Sequence, residues 1–215
     1  MEALVITGGE SPAADFLLRL AERAGIVIAA DSGYDVARQS GINPDYIVGD
    51  FDSIADSASL EGFPQENIHR YPSAKDDTDT QIAIALARKL GAGRIVLAGG
   101  GGGRLDHLLA LSYLFLRPDP PAEWHTASES VFFLPSKGRA RCRVEPDSCV
   151  SVLPAGGRTS RGMSSKGLAW PLEGLSWAEG QVGISNRSLS TEIEVGAGDA
   201  DLLLLLASGS ECLLQ

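Results

Sequence analysis

Four short apolar runs, each closed by a glycine or an aspartate, constrain the first half of the chain. They are 3–7 (ALVIT) ahead of Gly8-Gly9, 26–30 (IVIAA) ahead of Asp31-Ser32-Gly33, Tyr46-Ile47-Val48 ahead of Gly49-Asp50-Phe51-Asp52-Ser53, and 94–98 (RIVLA) ahead of five glycines, 99–103. A run that is apolar at nearly every position, rather than every second one, suits a strand covered on both faces. Helical patterns lie between the runs. Ser11-Pro12 reads as an N-cap and first helical residue, Phe16, Leu17, Leu20 and Ala24 as the buried face, and Gly25 as the stop. A second helix is expected from Tyr34 to Ser40, ended by Gly41. This β-α-β-α-β succession predicts an α/β domain with a Rossmann-like, mostly parallel sheet. Ligands of such sheets bind outside the C-terminal strand ends.

Further along, residues 54–67 read as a helical turn and loop. Residues 68–72 read as a short edge strand, because Pro72 cannot donate to a ladder. A helix is predicted from about Asp77 to Leu90, with Ile82, Ala85, Leu86 and Leu90 as its apolar stripe. Another follows the glycine run, through Leu108, Leu109, Leu111, Leu114 and Phe115. Pro118-Asp119-Pro120-Pro121 breaks the pattern. Beyond it, short alternating segments separated by turns (124–126, 131–134, 139–144, 149–153, 168–172, 181–184, 191–195 and 202–207) predict a C-terminal all-β sandwich. The expected division is 1–124 for the α/β nucleotide-binding catalytic domain and 125–215 for the β-sandwich.

The strand ends carry the chemistry. Asp50 and Asp52 are separated by one residue, and two like charges about 4 Å apart repel by roughly 4 kcal/mol at an effective dielectric near 20. Open water or a cation between them relieves that repulsion. Asp31 ends a neighbouring strand, and Lys75-Asp76-Asp77-Thr78-Asp79 precedes a helix. The helix dipole favours acids in a first turn by about 0.3–1 kcal/mol each, which accounts for one or two of these but less well for the set. The glycine run between strand and helix lets backbone N–H groups approach phosphate oxygens, and Arg104 follows at once. Magnesium binds through one or two carboxylates and substrate phosphates. Acids on three strand-end loops, facing a Gly-Arg loop, therefore point to a Mg²⁺–nucleotide site.

Composition narrows the classes. The net charge of −10 argues against a general nucleic-acid or anionic-membrane binder. The longest apolar run, 202–207, is too short to span a bilayer. The N-terminus has no signal-peptide pattern, so a cytoplasmic protein is expected. Cys142, Cys149 and Cys212 make no zinc pattern. Reduced, half-buried thiols are the expectation, and a Cys142–Cys149 pair facing across a hairpin is the alternative.

Taken in order, Ala30-Asp31-Ser32-Gly33, Gly49-Asp50-Phe51-Asp52-Ser53, Lys75-Asp76-Asp77-Thr78-Asp79 and Gly102-Gly103-Arg104-Leu105-Asp106-His107 closely resemble the thiamin pyrophosphokinase family. The likeness continues through Gly167-Leu168-Ala169-Trp170 and Gly183-Ile184-Ser185-Asn186. It implies an α/β domain plus a β-sandwich domain, assembled as a homodimer. It also implies transfer of the terminal diphosphate of ATP to the hydroxyl of thiamin, giving thiamin diphosphate and AMP, with thiamin in a cleft completed by the other subunit's sandwich domain. On this resemblance Asp50, Asp52 and Asp79 are the expected Mg²⁺ ligands, with Asp31 and Asp76 as secondary acids. Asp50 or Asp52 is also a candidate for removing the alcohol proton. Lys75 and Arg104 would meet phosphate oxygens, Gly102 and Gly103 would cradle them, and Asp106 and His107 would hold the nucleotide or Arg104. Trp170 would be the platform for the thiazolium and pyrimidine rings, through stacking and cation–π attraction. Ser185 and Asn186 would hydrogen-bond the substrate or form a turn, and Trp124 and Trp177 are read as packing residues.

Two residues depart from the family pattern. Ser32 replaces a usual glycine, which predicts a less permissive backbone beside Asp31. Ala169 replaces a common basic residue in the substrate pocket. The enzyme alternative is a diphosphokinase for a hydroxymethylpterin-like alcohol. The non-enzyme alternatives are a catalytically silent nucleotide-binding regulator and a structural α/β module. The complete acidic loops argue against both of these.

Overall fold

The computed structural model describes residues 1–55 and 60–215. The expected turn at 54–67 lies partly outside them, at 56–59. The described chain forms two compact units. The first comprises Met1–Leu114 with Trp124–Ala127, and the second Phe115–Glu123 with Ser128–Gln215.

The first unit runs β1 (Glu2–Thr7), α1 (Ala14–Arg23), β2 (Ile26–Ala30), α2 (Gly33–Gln39), β3 (Tyr46–Gly49), β4 (Ile68–Arg70), α3 (Asp79–Lys89), β5 (Arg94–Ala98) and α4 (Leu105–Ser112). Strand order is β5-β1-β2-β3-β4, and every pair is parallel. Trp124 and His125, of β6 (Glu123–His125), lie beyond β5. The continuous apolar runs are the strands, and all five residues of β2 are buried. Leu4, Ile6, Val27, Val96 and Ala98 form one core with Phe16, Leu17 and Leu20 of α1. Each such aliphatic side chain contributes about 1.5–3 kcal/mol when fully buried.

Two helices differ from expectation at their starts. Helix α1 begins at Ala14, capped by Ala13 with no side-chain bond, rather than at Ser11-Pro12. The preceding residues are held elsewhere, since Glu10 pairs with Gly101 in an isolated antiparallel bridge. Helix α3 begins at Asp79, two residues later than predicted. Thr78 caps it, in a reciprocal box with Gln81. Its buried residues are Thr80, Ala83 and Ala87, whereas Ala85 and Leu90 are exposed. The small side chains lie where α3 packs on β1, β2 and β3, so close backbone approach outweighs the larger aliphatics.

The second unit is all β apart from a 3-10 turn at Ala155–Gly157 and the end of another, Tyr113–Leu116. Its strands are β7 (Glu129–Leu134), β8 (Arg139–Arg143), β9 (Cys149–Pro154), β10 (Ser160–Arg161), β11 (Ser164–Lys166), β12 (Ser176–Trp177), β13 (Gly183–Arg187), β14 (Glu192–Gly196), β15 (Leu202–Ala207) and β16 (Glu211–Leu214). One set is ordered β13-β9-β15-β7 and another β11-β14-β8-β16, both antiparallel. Alternate residues of both sets share one core, including Phe132, Leu134, Val150, Val152, Ile193, Val195, Leu202 and Leu204. The expected strand at 168–172 is instead an irregular segment. Cys142 forms a disulfide with Cys212, directly opposite on β16, while Cys149 is exposed and free. This corrects the expectation of three reduced thiols. β16 was not foreseen, so its cysteine had no visible partner.

Candidate active site

The C-terminal ends of β2 and β3 come together through Gly49. A Cβ there would lie 3.2 Å from the Asp31 Cα, and its φ of 155° is one that side chains rarely adopt. Asp31 itself takes a left-handed backbone, φ 48°, and its N–H donates to Val48 O at 2.8 Å. Phe51 is also left-handed, φ 67°, with its ring buried and the Arg70 guanidinium 4.6 Å above it. The reversed turn at Phe51 separates the two acids that flank it. Asp50 joins Asp31 and Asp79, with one carboxylate oxygen from each within 4.8 Å of the others. Asp52 does not join them. It is exposed and accepts a bond from Ser53 Oγ at 2.9 Å.

Asp79 is the first residue of α3, so the Thr78 cap aims it at the cluster. Lys75 reaches the same place, its Nζ 3.2 Å from Asp79 Oδ1 and 3.6 Å from Asp50 Oδ2. Asp31 Oδ1 is buried and has no hydrogen-bond partner. Burial pushes the Asp31 carboxyl above its usual range, and the neighbouring charges of Asp79 and Asp50 add to this. A hydrogen bond from Ser73 lowers that of Asp50, with help from Lys75. Three converging carboxylates, one with an orphaned oxygen, are a hard-oxygen donor set that fits Mg²⁺. Asp76 is exposed and outside the cluster.

Hydrogen bonds and close packing hold the start of the glycine run. Gly99 N–H donates to His125 O at 2.9 Å, Gly100 N–H donates to Gly8 O at 2.7 Å, and Trp124 Nε1 donates to Gly99 O at 2.8 Å. A Cβ on Gly99 would stand 2.2 Å from Thr7 O. Gly102 and Gly103 are both left-handed. A cavity of about 300 Å³ lies between this loop and the acids, lined by Asp31, Ser32, Asp79, Gly102, Gly103, Arg104 and His107 among others. Arg104 is folded back onto Asp106 through two bonds, Nε to Oδ1 at 3.1 Å and Nη2 to Oδ2 at 2.5 Å. That pairing holds the Asp106 carboxyl at about 2 and raises the guanidinium. Both side chains are largely exposed, so the pair is weak and exchangeable. Ser32 has ordinary helical dihedrals, φ −59° and ψ −7°, so the strain falls on Asp31 and not on the substituted position.

In the second unit, Trp170 is 59% exposed, whereas Trp124 and Trp177 are buried. Asn186 is buried and bonds the Trp170 main chain on both sides: its Oδ1 accepts from Trp170 N at 3.1 Å and its Nδ2 donates to Trp170 O at 2.7 Å. Ser185 is exposed and left-handed, φ 61°. The sequence alone shows neither the approach of Asp31 to Asp50 and Asp79 nor the Trp124–Gly99 bond. Only a three-dimensional strand-end approach brings either to the site.

The fold is α/β, with carboxylates, a lysine and a glycine-rich loop gathered at the strand ends. Residues 17–122 match the family model described as thiamin pyrophosphokinase, catalytic domain. Among solved structures, thiamine pyrophosphokinase from Bacillus subtilis is 20% identical, with a TM-score of 0.82 over 97% of this chain and 100% of that one. The Geobacillus thermodenitrificans enzyme is 24% identical, with a TM-score of 0.75 over 97% and 98%. The Candida albicans enzyme is 21% identical, with a TM-score of 0.68 over 96% and 90%. These structural likenesses establish the mixed α/β fold. No curated protein sequence matches. On the family-model match, residues 17–122 belong to the thiamin pyrophosphokinase family.

Proposed function

We propose that the rim of the first unit carries the family's reaction, with roles assigned residue by residue. The activity is that of a thiamin diphosphokinase: ATP and thiamin give thiamin diphosphate and AMP. The thiamin hydroxyl oxygen bonds to the β-phosphorus as the bond from that phosphorus to the AMP oxygen breaks, and the hydroxyl proton leaves. Such transfers depend mainly on positioning and charge neutralisation. Asp31, Asp50 and Asp79 would hold Mg²⁺, which neutralises phosphate charge when bound. Asp31 thus takes the place first given to Asp52. Lying outside the cluster, Asp52 is the carboxylate left to receive the alcohol proton. Lys75 neutralises the acids and meets phosphate oxygens, and Arg104 exchanges Asp106 for phosphate. The N–H groups around Gly102 and Gly103 supply further donors, with His107 at the cavity wall. Asp76 acts at most through solvent.

The second unit would be a β-sandwich that supplies Trp170 as the thiamin platform and the contact surface of a homodimer. The exposure of the Trp170 ring supports the first role. ATP consumption supports a cytoplasmic setting, and among the described residues no helix is long and apolar enough to cross a membrane.

The single observation that carries this reading is the convergence of Asp31, Asp50 and Asp79 around an unpartnered buried oxygen. Incubation with Mg²⁺, ATP and either thiamin or a hydroxymethylpterin tests it. Thiamin diphosphate formation supports the reading. Turnover of the pterin alone would replace it with the other diphosphokinase, and ATP binding without turnover would replace it with the regulator.

A further inference from the structure

Trp170 combines an open ring with a closely held backbone. Leu168 and Leu172 on either side are buried. Ala169 N–H donates to Arg187 O at 2.8 Å, and Leu189 N–H donates to Gly167 O at 2.7 Å. Ser165 Oγ accepts from Leu172 N at 2.9 Å, and Glu173 Oε1 accepts from Ser165 N at 2.8 Å. At the centre is the Asn186 amide, whose Oδ1 also accepts from Arg187 N at 2.8 Å. All three polar bonds of this buried side chain are thus spent on protein backbone.

The way Asn186 reaches that place is informative. The register between β13 and β9 shifts between Gly183 and Asn186. The left-handed Ser185 lies in that irregularity. Bulges of this kind re-aim a side chain, and a non-glycine residue held left-handed is strained. Here the irregularity coincides with an inward Asn186 on a strand whose neighbouring positions, Ile184, Ser185 and Arg187, are exposed.

We propose that Asn186 is a positioning residue for Trp170: it fixes the tryptophan main chain so that the exposed ring stands ready for the thiamin rings, and it does not itself contact substrate. This rests on the platform reading of Trp170. Preorganising a ring before binding avoids ordering it on arrival. Ser185, whose side chain is exposed, remains available for a direct contact.

Because Trp124 and Trp177 are buried, acrylamide quenching of tryptophan emission reports chiefly on Trp170. Asn186→Ala and the milder Asn186→Asp, which keeps an acceptor and loses the donor to Trp170 O, are compared with Trp170→Ala in the full chain, each checked by thermal melting. Both Asn186 variants should raise the KM for thiamin, Asn186→Ala by about tenfold. The KM for ATP should stay unchanged, and emission anisotropy should fall as the ring gains freedom. Unchanged thiamin KM and anisotropy in a folded Asn186→Asp variant would overturn the positioning role. Wild-type thiamin KM in Trp170→Ala would instead overturn the platform reading on which it rests.

Discussion

Lys75 Nζ lies 3.2 Å from Asp79 Oδ1. The two are four residues apart, but Lys75 precedes α3 and Asp79 begins it, so the contact is made across the helix start. With Asp50 at 3.6 Å, the ammonium is the cation that the ligand-free acidic rim already contains. Both partners are well shielded, with side-chain exposures of 14% and 22%.

Lys75→Met should therefore destabilise the ligand-free protein. Removing one partner of a well-shielded charge cluster leaves the other charges uncompensated. Added Mg²⁺ should recover much of the loss, because a divalent ion replaces the missing charge. Thermal melting with and without Mg²⁺ measures both effects, and turnover should fall about a hundredfold.

Asp31 is raised by burial, which fixes the sign of a pH effect. An acid whose folded pKa lies above the unfolded value holds more protons when folded, so stability falls as pH rises through that window. Asp31→Asn removes this penalty, and asparagine tolerates the left-handed backbone. The variant should melt higher than the parent at pH 7 without ligand, with the gap closing below pH about 3.8. Its activity should be lost. Melting curves across pH, beside an activity assay, test the pairing of gain and loss.

If thiamin sits between copies, two defective chains should complement. Asp50→Asn spoils the first unit's rim and Trp170→Ala spoils the second unit's platform. Mixed and allowed to exchange, they should regain about a quarter of wild-type activity, from hybrids with one intact site. No gain on mixing would mean that each chain supplies both residues to its own site.

Much of this was legible from the chain alone. Continuous apolar runs reported the buried parallel strands, because full coverage removes any polar alternation. The acids at their ends reported the rim. What sequence could not give is angular. Asp50 and Asp52 look equivalent until the left-handed Phe51 turns them apart, and Asp31 looks secondary until Gly49 brings β3 against it. The stripe on α3 was misread because contact through Ala83 and Ala87 depends on how near the helix lies to the sheet. For Asn186 the sequence leaves a substrate contact and a turn open, since no local pattern shows that its amide bonds the Trp170 main chain.

The Cys142–Cys212 bond ties β8 to β16 across 70 residues of sequence. Such a link contributes about 2–4 kcal/mol. Reductant should lower the melting temperature of the oxidised parent and leave a Cys142→Ser, Cys212→Ser double variant unmoved. Thiol titration of the oxidised, unfolded protein should find Cys149 alone.

The central claim is transfer of a diphosphate unit, with attack at the β-phosphorus. ATP labelled at that phosphorus, incubated with thiamin and Mg²⁺, tests it most directly. The account predicts label only in thiamin diphosphate, with unlabelled AMP formed in equal amount. Labelled ADP with thiamin monophosphate would contradict it, as would label retained in ATP.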